Sequence, residues 1–209
     1  MSTDEAPPGV PISRPGTASR RLEELATRLR AHEPGVTPDA RRHRWEAATA
    51  LVLAPGPEDV EVAIIERSRR DGDRWSGQLA FPGGRRDPGD RHLAATAIRE
   101  TREEVGVHLD EPLTRVAEQR ARVRPGLVAC YAFVLPTRPA LVPQPTEVAA
   151  AWWVPLGSLT DPANATHVRR AGARFPAIDV QGRALWGLTL MLLERFAALA
   201  DLDLATGSG

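Results

Sequence analysis

The chain has 209 residues, 42% of them hydrophobic and 26% charged, and its 27 basic and 27 acidic side chains cancel to a formal net charge of zero. That length supports one domain with a sizeable core, and the charge balance gives no global attraction to nucleic acid or to an anionic membrane. Every basic residue is Arg, which excludes a Lys Schiff base and the Gly-Lys-Ser/Thr of a P-loop, so a phosphate clamp would have to use the planar guanidinium fork. The single cysteine, Cys130, excludes an internal disulfide and a thiolate metal cluster, and sits in an apolar run as a core residue. No run of about 18 apolar residues is present and the first residues lack the order of a signal peptide, so a cytoplasmic, non-membrane protein is expected.

Residues 1–19 are rich in Pro, Gly, Ser and Thr and are expected to form a disordered tail ahead of a single domain over 20–205. Leu22, Leu25 and Leu29 mark a short amphipathic helix over 20–31, followed by a linker over 32–39. The cluster Arg41, Arg42, His43 and Arg44 reads as a solvated run. Residues 45–54 predict a buried strand, 55–59 a turn, and 60–66 the second strand of a hairpin. The polar loop 67–76 carries Arg67, Arg69, Arg70 and Arg74, which either solubilise the loop or contact a substrate phosphate; Trp75 stacks on a base or wedges the loop. A short strand over 78–81 then delivers the chain to Gly83 and Gly84, where backbone can bend sharply or pass close to a ligand.

The next segment predicts a helix. Leu93, Ala94, Ala97, Ile98, Thr101 and Val105 recur at helical spacing, Asp87 and Asp90 precede it as capping acids, and Gly106 stands where a left-handed stop belongs. Glu100, Glu103 and Glu104 lie at i, i+3 and i+4 and share one side, with Arg99 four residues before Glu103. Such spacings also occur as solvated ion pairs on surface helices. Like charges at that separation repel by about 3 kcal/mol at an effective dielectric of 20, which arginines or a divalent cation would offset.

Beyond the helix, residues 113–124 predict a strand running into a loop, with Arg120, Arg122 and Arg124 forming a polar sheet face or an arginine ladder. Residues 127–135 predict a core strand, 137–146 a proline-rich loop, and 149–154 a strand that sends Trp152 and Trp153 to opposite faces. A short helix or turn begins at Leu156. Residues 175–180 and 183–186 predict a hairpin around Gln181-Gly182, and 188–199 a closing amphipathic helix. His92 and His167 read as surface residues.

The stretch from Gly84 through Arg99-Glu100, Glu103-Glu104 and Gly106-Val107 resembles the Nudix box, Gly, five residues, Glu, seven residues, Arg-Glu-(apolar)-x-Glu-Glu-x-Gly-(apolar). Thr101 takes an apolar place, the first Glu is absent, and the interval from Gly84 to Arg99 is one residue longer than the general form. That spacing, with Arg67-Ser68, Gly77-Gln78, Thr96-Ala97 and Trp186-Gly187-Leu188-Thr189, is similar to the branch containing coenzyme A diphosphatases; Trp75-Ser76 stand where that branch often has a histidine.

The resemblance implies an α/β fold, an α/β/α sandwich with a mixed β-sheet and a loop–helix–loop box. It implies Mg²⁺ or Mn²⁺ held by Glu100, Glu103 and Glu104, with Arg99 orienting a glutamate, Glu147 either completing the site from its loop or capping a strand at the surface, and Glu103 or Glu147 accepting a proton. On this reading Asp87 or Asp90 would stand in for the missing glutamate. Arg67, Arg69, Arg70, Arg74, Gly83 and Gly84 would contact the substrate, a small-molecule nucleotide. Three functions remain open: a diphosphatase of coenzyme A or acyl-coenzyme A, a Nudix pyrophosphatase acting on a nucleoside triphosphate, ADP-ribose or a dinucleotide, and a non-catalytic nucleotide-binding module. The chain would be a monomer or homodimer.

Overall fold

The computed structural model describes residues 16–33, 46–72, 75–120 and 126–206. Expectations for residues 1–15 of the tail, for Arg41, Arg42, His43, Arg44, Arg74, Arg122 and Arg124, and for most of the linker lie outside them. The fold is organised around β1 (Glu46–Pro55), whose apolar residues are buried almost without interruption. A strand of that kind needs cover on both sheet faces. It pairs antiparallel with β2 (Val60–Arg67) and parallel with β6 (Leu127–Val134). The mixed sheet runs β3 (Leu79–Ala80), β2, β1, β6, β5 (Thr114–Arg120), with β4 (Gly83–Arg85) added to β1 and β7 (Val148–Pro155) added to β2.

Alternation along β1 sorts the core. Ala48, Ala50 and Val52 face α2 (Leu93–Val105), while Leu51 and Leu53 face α1 (Thr17–Ala31) and α4 (Gly187–Ala200). Helices therefore cover both faces, the α/β/α sandwich expected. Trp152 packs with one cluster and Trp153 with the other, on opposite faces of β7. A second sheet of β8 (Ala165–Arg170), β9 (Ala173–Val180) and β10 (Arg183–Trp186) sits beside the first, and α3 (Leu156–Thr160) follows β7. Gln181 and Gly182 both have positive φ (55° and 78°), the backbone a tight two-residue hairpin requires.

Several boundaries differ from expectation. The first helix starts at Thr17, inside the segment expected to be a tail, because Ala18 joins Leu22, Leu25, Ala26 and Leu29 on the buried stripe. β4 and β8 were not expected: β4 is a three-residue glycine-rich strand, and β8 is mostly exposed, so neither has the apolar alternation that betrays a strand. Among the described residues no helix is long and apolar enough to cross a membrane.

Candidate active site

Helix α2 begins with His92, whose Nδ1 accepts a hydrogen bond from the Ala95 N–H at 3.1 Å, and ends at Gly106 with φ 71°. The cap is thus His92, which is exposed as expected of a surface residue, while the two aspartates expected as capping acids have other work. Ala94, Ala97, Thr101 and Val105 bury the apolar stripe against β1. Thr101 fits there because its hydroxyl donates to the Ala97 carbonyl at 2.7 Å and leaves only its methyl facing the core.

The acidic side of α2 divides. Glu104 is 1% exposed, and its carboxylate accepts the Gly83 N–H at 2.8 Å. Glu100 lies beside it, against the backbone of Gly84. Glu103 turns away: half exposed, it accepts from Arg99 Nη1 at 2.8 Å. Its place in the cluster is taken by Glu147, in the turn just before β7. One carboxylate oxygen each from Glu100, Glu104 and Glu147 lie within 4.8 Å of one another. The expected trio of Glu100, Glu103 and Glu104 is therefore not the trio that converges. Residues three and four apart on a helix diverge from a common neighbour by about 60° and 40° in opposite senses, and Arg99 claims the one on its own side.

Burial raises the pKa of Glu100, with Arg99 opposing and Glu103 and Glu147 adding to the rise. Burial pushes Glu104 up to about 8; the Gly83 N–H and Arg67 oppose it, and Glu100 and Glu147 reinforce it. One buried acid, one part-buried and one exposed form a hard-oxygen donor set in which a divalent cation would relieve both burial and repulsion.

Arg99 does not line the cavity. Its Nε and Nη2 grip both carboxylate oxygens of Asp90 at 3.1 and 3.0 Å, and its Nη1 reaches Glu100 Oε1 at 2.9 Å as well as Glu103. Asp90 also accepts from the Thr96 hydroxyl and the Asp87 N–H, both at 2.9 Å. It stands six residues after Gly84, where the general box has its first Glu, and the surplus residue falls between it and Arg99. Asp87 is exposed and shapes the turn by accepting from the Gly89 N–H at 2.9 Å. The Arg99 fork holds Asp90 at a pKa of about 2, well below its ordinary 3.8. Its stabilisation is therefore complete above about pH 4 and is lost as pH falls through about 2. Asp90→Asn should cost about 2–3 kcal/mol at neutral pH and flatten the acid limb of a Tm-against-pH curve.

The three acids form one side of a cavity of about 440 Å³. Arg67, Arg70, Trp75, Gln78 and Arg85 contribute polar and aromatic groups, and Leu79, Phe81, Leu188 and Leu192 an apolar wall. Arg70 also donates from Nη2 to the Thr146 carbonyl at 2.6 Å and lies 3.4 Å from Glu147, so it secures the acid as well as facing the cavity. Arg69 is exposed and is not part of the lining. Gly83 and Gly84 line the cavity, but the Gly83 N–H is committed to Glu104. Sequence reasoning missed the α4 residues Leu188, Thr189 and Leu192; Thr189 donates to the Leu79 carbonyl at 2.9 Å and ties α4 to β3. The signal available for them was the Trp186–Thr189 motif.

A family model described as the NUDIX domain matches residues 43–175, which include β1, the box helix and the turn carrying Glu147. The chain belongs to the Nudix family of hydrolases. Human mitochondrial coenzyme A diphosphatase NUDT8 is 36% identical to this Nudix chain over 168 residues, 73% of the chain and 70% of that protein. The uncharacterized protein C14C4.10c of Schizosaccharomyces pombe is 35% identical over 145 residues, 65% of the chain but only 43% of that relative. The NUDIX domain of Shewanella oneidensis NrtR, crystallised with ADP ribose, superposes with a TM-score of 0.54 at 19% identity, covering 77% of this chain and 91% of that one. At that identity the likeness establishes the fold of this Nudix domain.

Proposed function

We propose that the chain is a divalent-metal-dependent diphosphatase that hydrolyses coenzyme A or acyl-coenzyme A to phosphopantetheine and adenosine 3′,5′-bisphosphate. The observation that carries this reading is the convergence of Glu100, Glu104 and Glu147 in a cavity that Arg67, Arg70 and Arg85 also line. Mg²⁺ or Mn²⁺ bound by these acids would neutralise phosphate oxygens and make a water nucleophilic at neutral pH. The chain's own groups do the rest. The Gly83 N–H and Arg99 hold Glu104 and Glu100 in single orientations, so little reorganisation is needed when substrate arrives. Glu147, the more exposed acid, is better placed than Glu103 to accept a proton from attacking water, because Glu103 is occupied by Arg99. Arg67 and Arg70 face the anionic substrate, and the wall of Leu79, Phe81, Leu188 and Leu192 suits an uncharged arm beyond the diphosphate. The 36% identity to a protein named as a coenzyme A diphosphatase supports that substrate.

The test is a panel of coenzyme A, an acyl-coenzyme A, ADP-ribose, a nucleoside triphosphate and a dinucleotide, each with Mg²⁺ and with Mn²⁺. Release of phosphopantetheine or its acyl form is expected. Turnover of another member alone would replace the substrate, and no turnover of any would leave a nucleotide-binding module. Gly84→Ala offers a sharper check on the site. A Cβ there would sit 2.4–2.5 Å from the carboxylate atoms of Glu100, the far end of a flexible side chain. The chain should fold with an unchanged Tm, while displacement of Glu100 lowers kcat by about 10–100-fold.

A further inference from the structure

The second sheet presents one face that neither core cluster uses. Ile178, Val180 and Leu185 point into the core, so Ala177 and Phe175 of β9 and Trp186 of β10 point the other way. Trp186 is paired with Ala177, and Val168 of β8 with Phe175, which puts Val168, Phe175 and Trp186 on the same surface. Phe175 is 40% exposed, and its ring centroid lies 5.9 Å from that of Trp186 at an interplanar angle of 43°. Arg170, two residues beyond Val168 on the same face, holds its guanidinium carbon 5.8 Å from the Trp186 centroid. Asp179, a carboxylate on this face, is turned to the hairpin and accepts from the Gly182 N–H at 2.9 Å. Two aromatic rings with an arginine among them match a planar base bearing a phosphate monoester.

The surface adjoins the active-site cavity along the chain, although Trp186, Phe175 and Arg170 do not themselves line it. Trp186 is two residues before Leu188 and three before Thr189; Leu188 and Thr189 both line that cavity. Two residues of chain separate the α-carbons of Trp186 and Leu188 by at most about 7 Å. β10 packs on β3, whose Leu79 and Ala80 are also cavity wall. The Trp186-Gly187-Leu188-Thr189 motif thus runs from a half-buried ring beside the exposed Phe175 to the wall of the reaction chamber.

We propose that Phe175, Trp186 and Arg170 form the half-site for the nucleoside end of the substrate, the rings stacking its purine and Arg170 pairing with a phosphate monoester on its ribose. This deepens the coenzyme A reading and rests on it, because coenzyme A differs from its 3′-dephospho form by that one phosphate. The acids of α2 would then handle the diphosphate, and the second sheet would select which diphosphate is brought to them.

The experiment compares coenzyme A with 3′-dephospho-coenzyme A in wild type, Arg170→Gln, Phe175→Ala and Arg169→Gln. Arg169 neighbours Arg170 on the opposite face of β8, so its substitution makes the same charge change away from the rings. Wild type and Arg169→Gln should prefer coenzyme A by about tenfold or more in kcat/KM, expressed in KM. Arg170→Gln should bring the ratio close to one, and Phe175→Ala should raise KM for both substrates. All three side chains are exposed, and matching Tm values will show that each variant folds. Calorimetric titration with adenosine 3′,5′-bisphosphate and adenosine 5′-monophosphate reads the half-site without turnover. Preference for the bisphosphate, lost in Arg170→Gln, supports the half-site even if no member of the substrate panel is hydrolysed. An unchanged ratio in Arg170→Gln, equal loss in Arg169→Gln, or no preference in the wild type overturns it, even if coenzyme A is turned over.

Discussion

Glu104→Gln is expected to lower kcat by about 10³-fold while leaving the folded structure in place. Glutamine keeps the carbonyl oxygen that accepts the Gly83 N–H, so the turn before the helix stays anchored. What it removes is the ability of the most deeply buried acid in the cluster to ionise and hold a cation. The consequence for stability runs opposite to the consequence for turnover. The Glu104 carboxyl titrates near 8 in the fold against an ordinary 4.5. Between those values the folded chain keeps a proton the unfolded chain has released. Stability of the metal-free wild type is therefore full below about pH 4.5 and declines as pH rises through about 8. The Gln variant should lack that decline and melt no lower than wild type at pH 8 without metal. Added Mg²⁺ should raise the wild-type Tm at pH 8 and have less effect on the variant. Activity near normal in Glu104→Gln would remove this carboxylate from the chemistry. A collapsed Tm would show that the charge is needed by the fold.

Gly83→Ala should fail differently from its neighbour Gly84→Ala. Gly83 has φ 153°, and a Cβ there would lie 2.3 Å from the Ala48 carbonyl oxygen and 2.6 Å from the Thr49 α-carbon. Both obstacles are backbone atoms of β1, the strand at the middle of the sheet, and neither can swing aside. The cost combines an unfavourable dihedral with overpacking, about 3–5 kcal/mol in all. Denaturant unfolding should show the midpoint shifted by that amount, a large share of the stability of an ordinary domain. Because the Gly83 N–H is the anchor of Glu104, whatever fraction still folds should also be impaired in turnover. The adjacent glycines therefore separate scaffold from site: one substitution strikes β1, the other strikes a carboxylate.

The proline-rich segment 137–146 explains how a residue from the far end of the sheet joins the helix acids. It runs over the C-terminal end of α2, where the Val142 N–H donates to the Val105 carbonyl at 2.9 Å and the Gln144 N–H to the Glu104 carbonyl at 2.8 Å. These bonds satisfy helix-end carbonyls that would otherwise lack partners. Arg138 pairs with Glu61 at 2.6 Å, and the Trp153 indole N–H donates to the Pro139 carbonyl at 2.8 Å, fixing the start of the segment. Ser68 N–H and Arg70 secure its exit, so Glu147 is delivered against Glu100 and Glu104 with its backbone already held.

The amino-acid sequence by itself determined the features that depend on local periodicity: the buried strands around β1 and β6, the box helix with its glycine stop, the tight turn at Gln181-Gly182, and the acidic character of one helix side. Each is legible because neighbours along the chain set backbone conformation and show which side is apolar. Only the tertiary structure decided which acids meet. A helix spacing gives the direction of Glu100, Glu103 and Glu104 but not what lies opposite them. Arg99, itself clamped by Asp90, drew Glu103 aside, and the path of 137–146 supplied Glu147 in its place. The cavity's other wall came from α4, more than 80 residues beyond the box, because a pocket forms where distant segments pack and no short stretch carries that information.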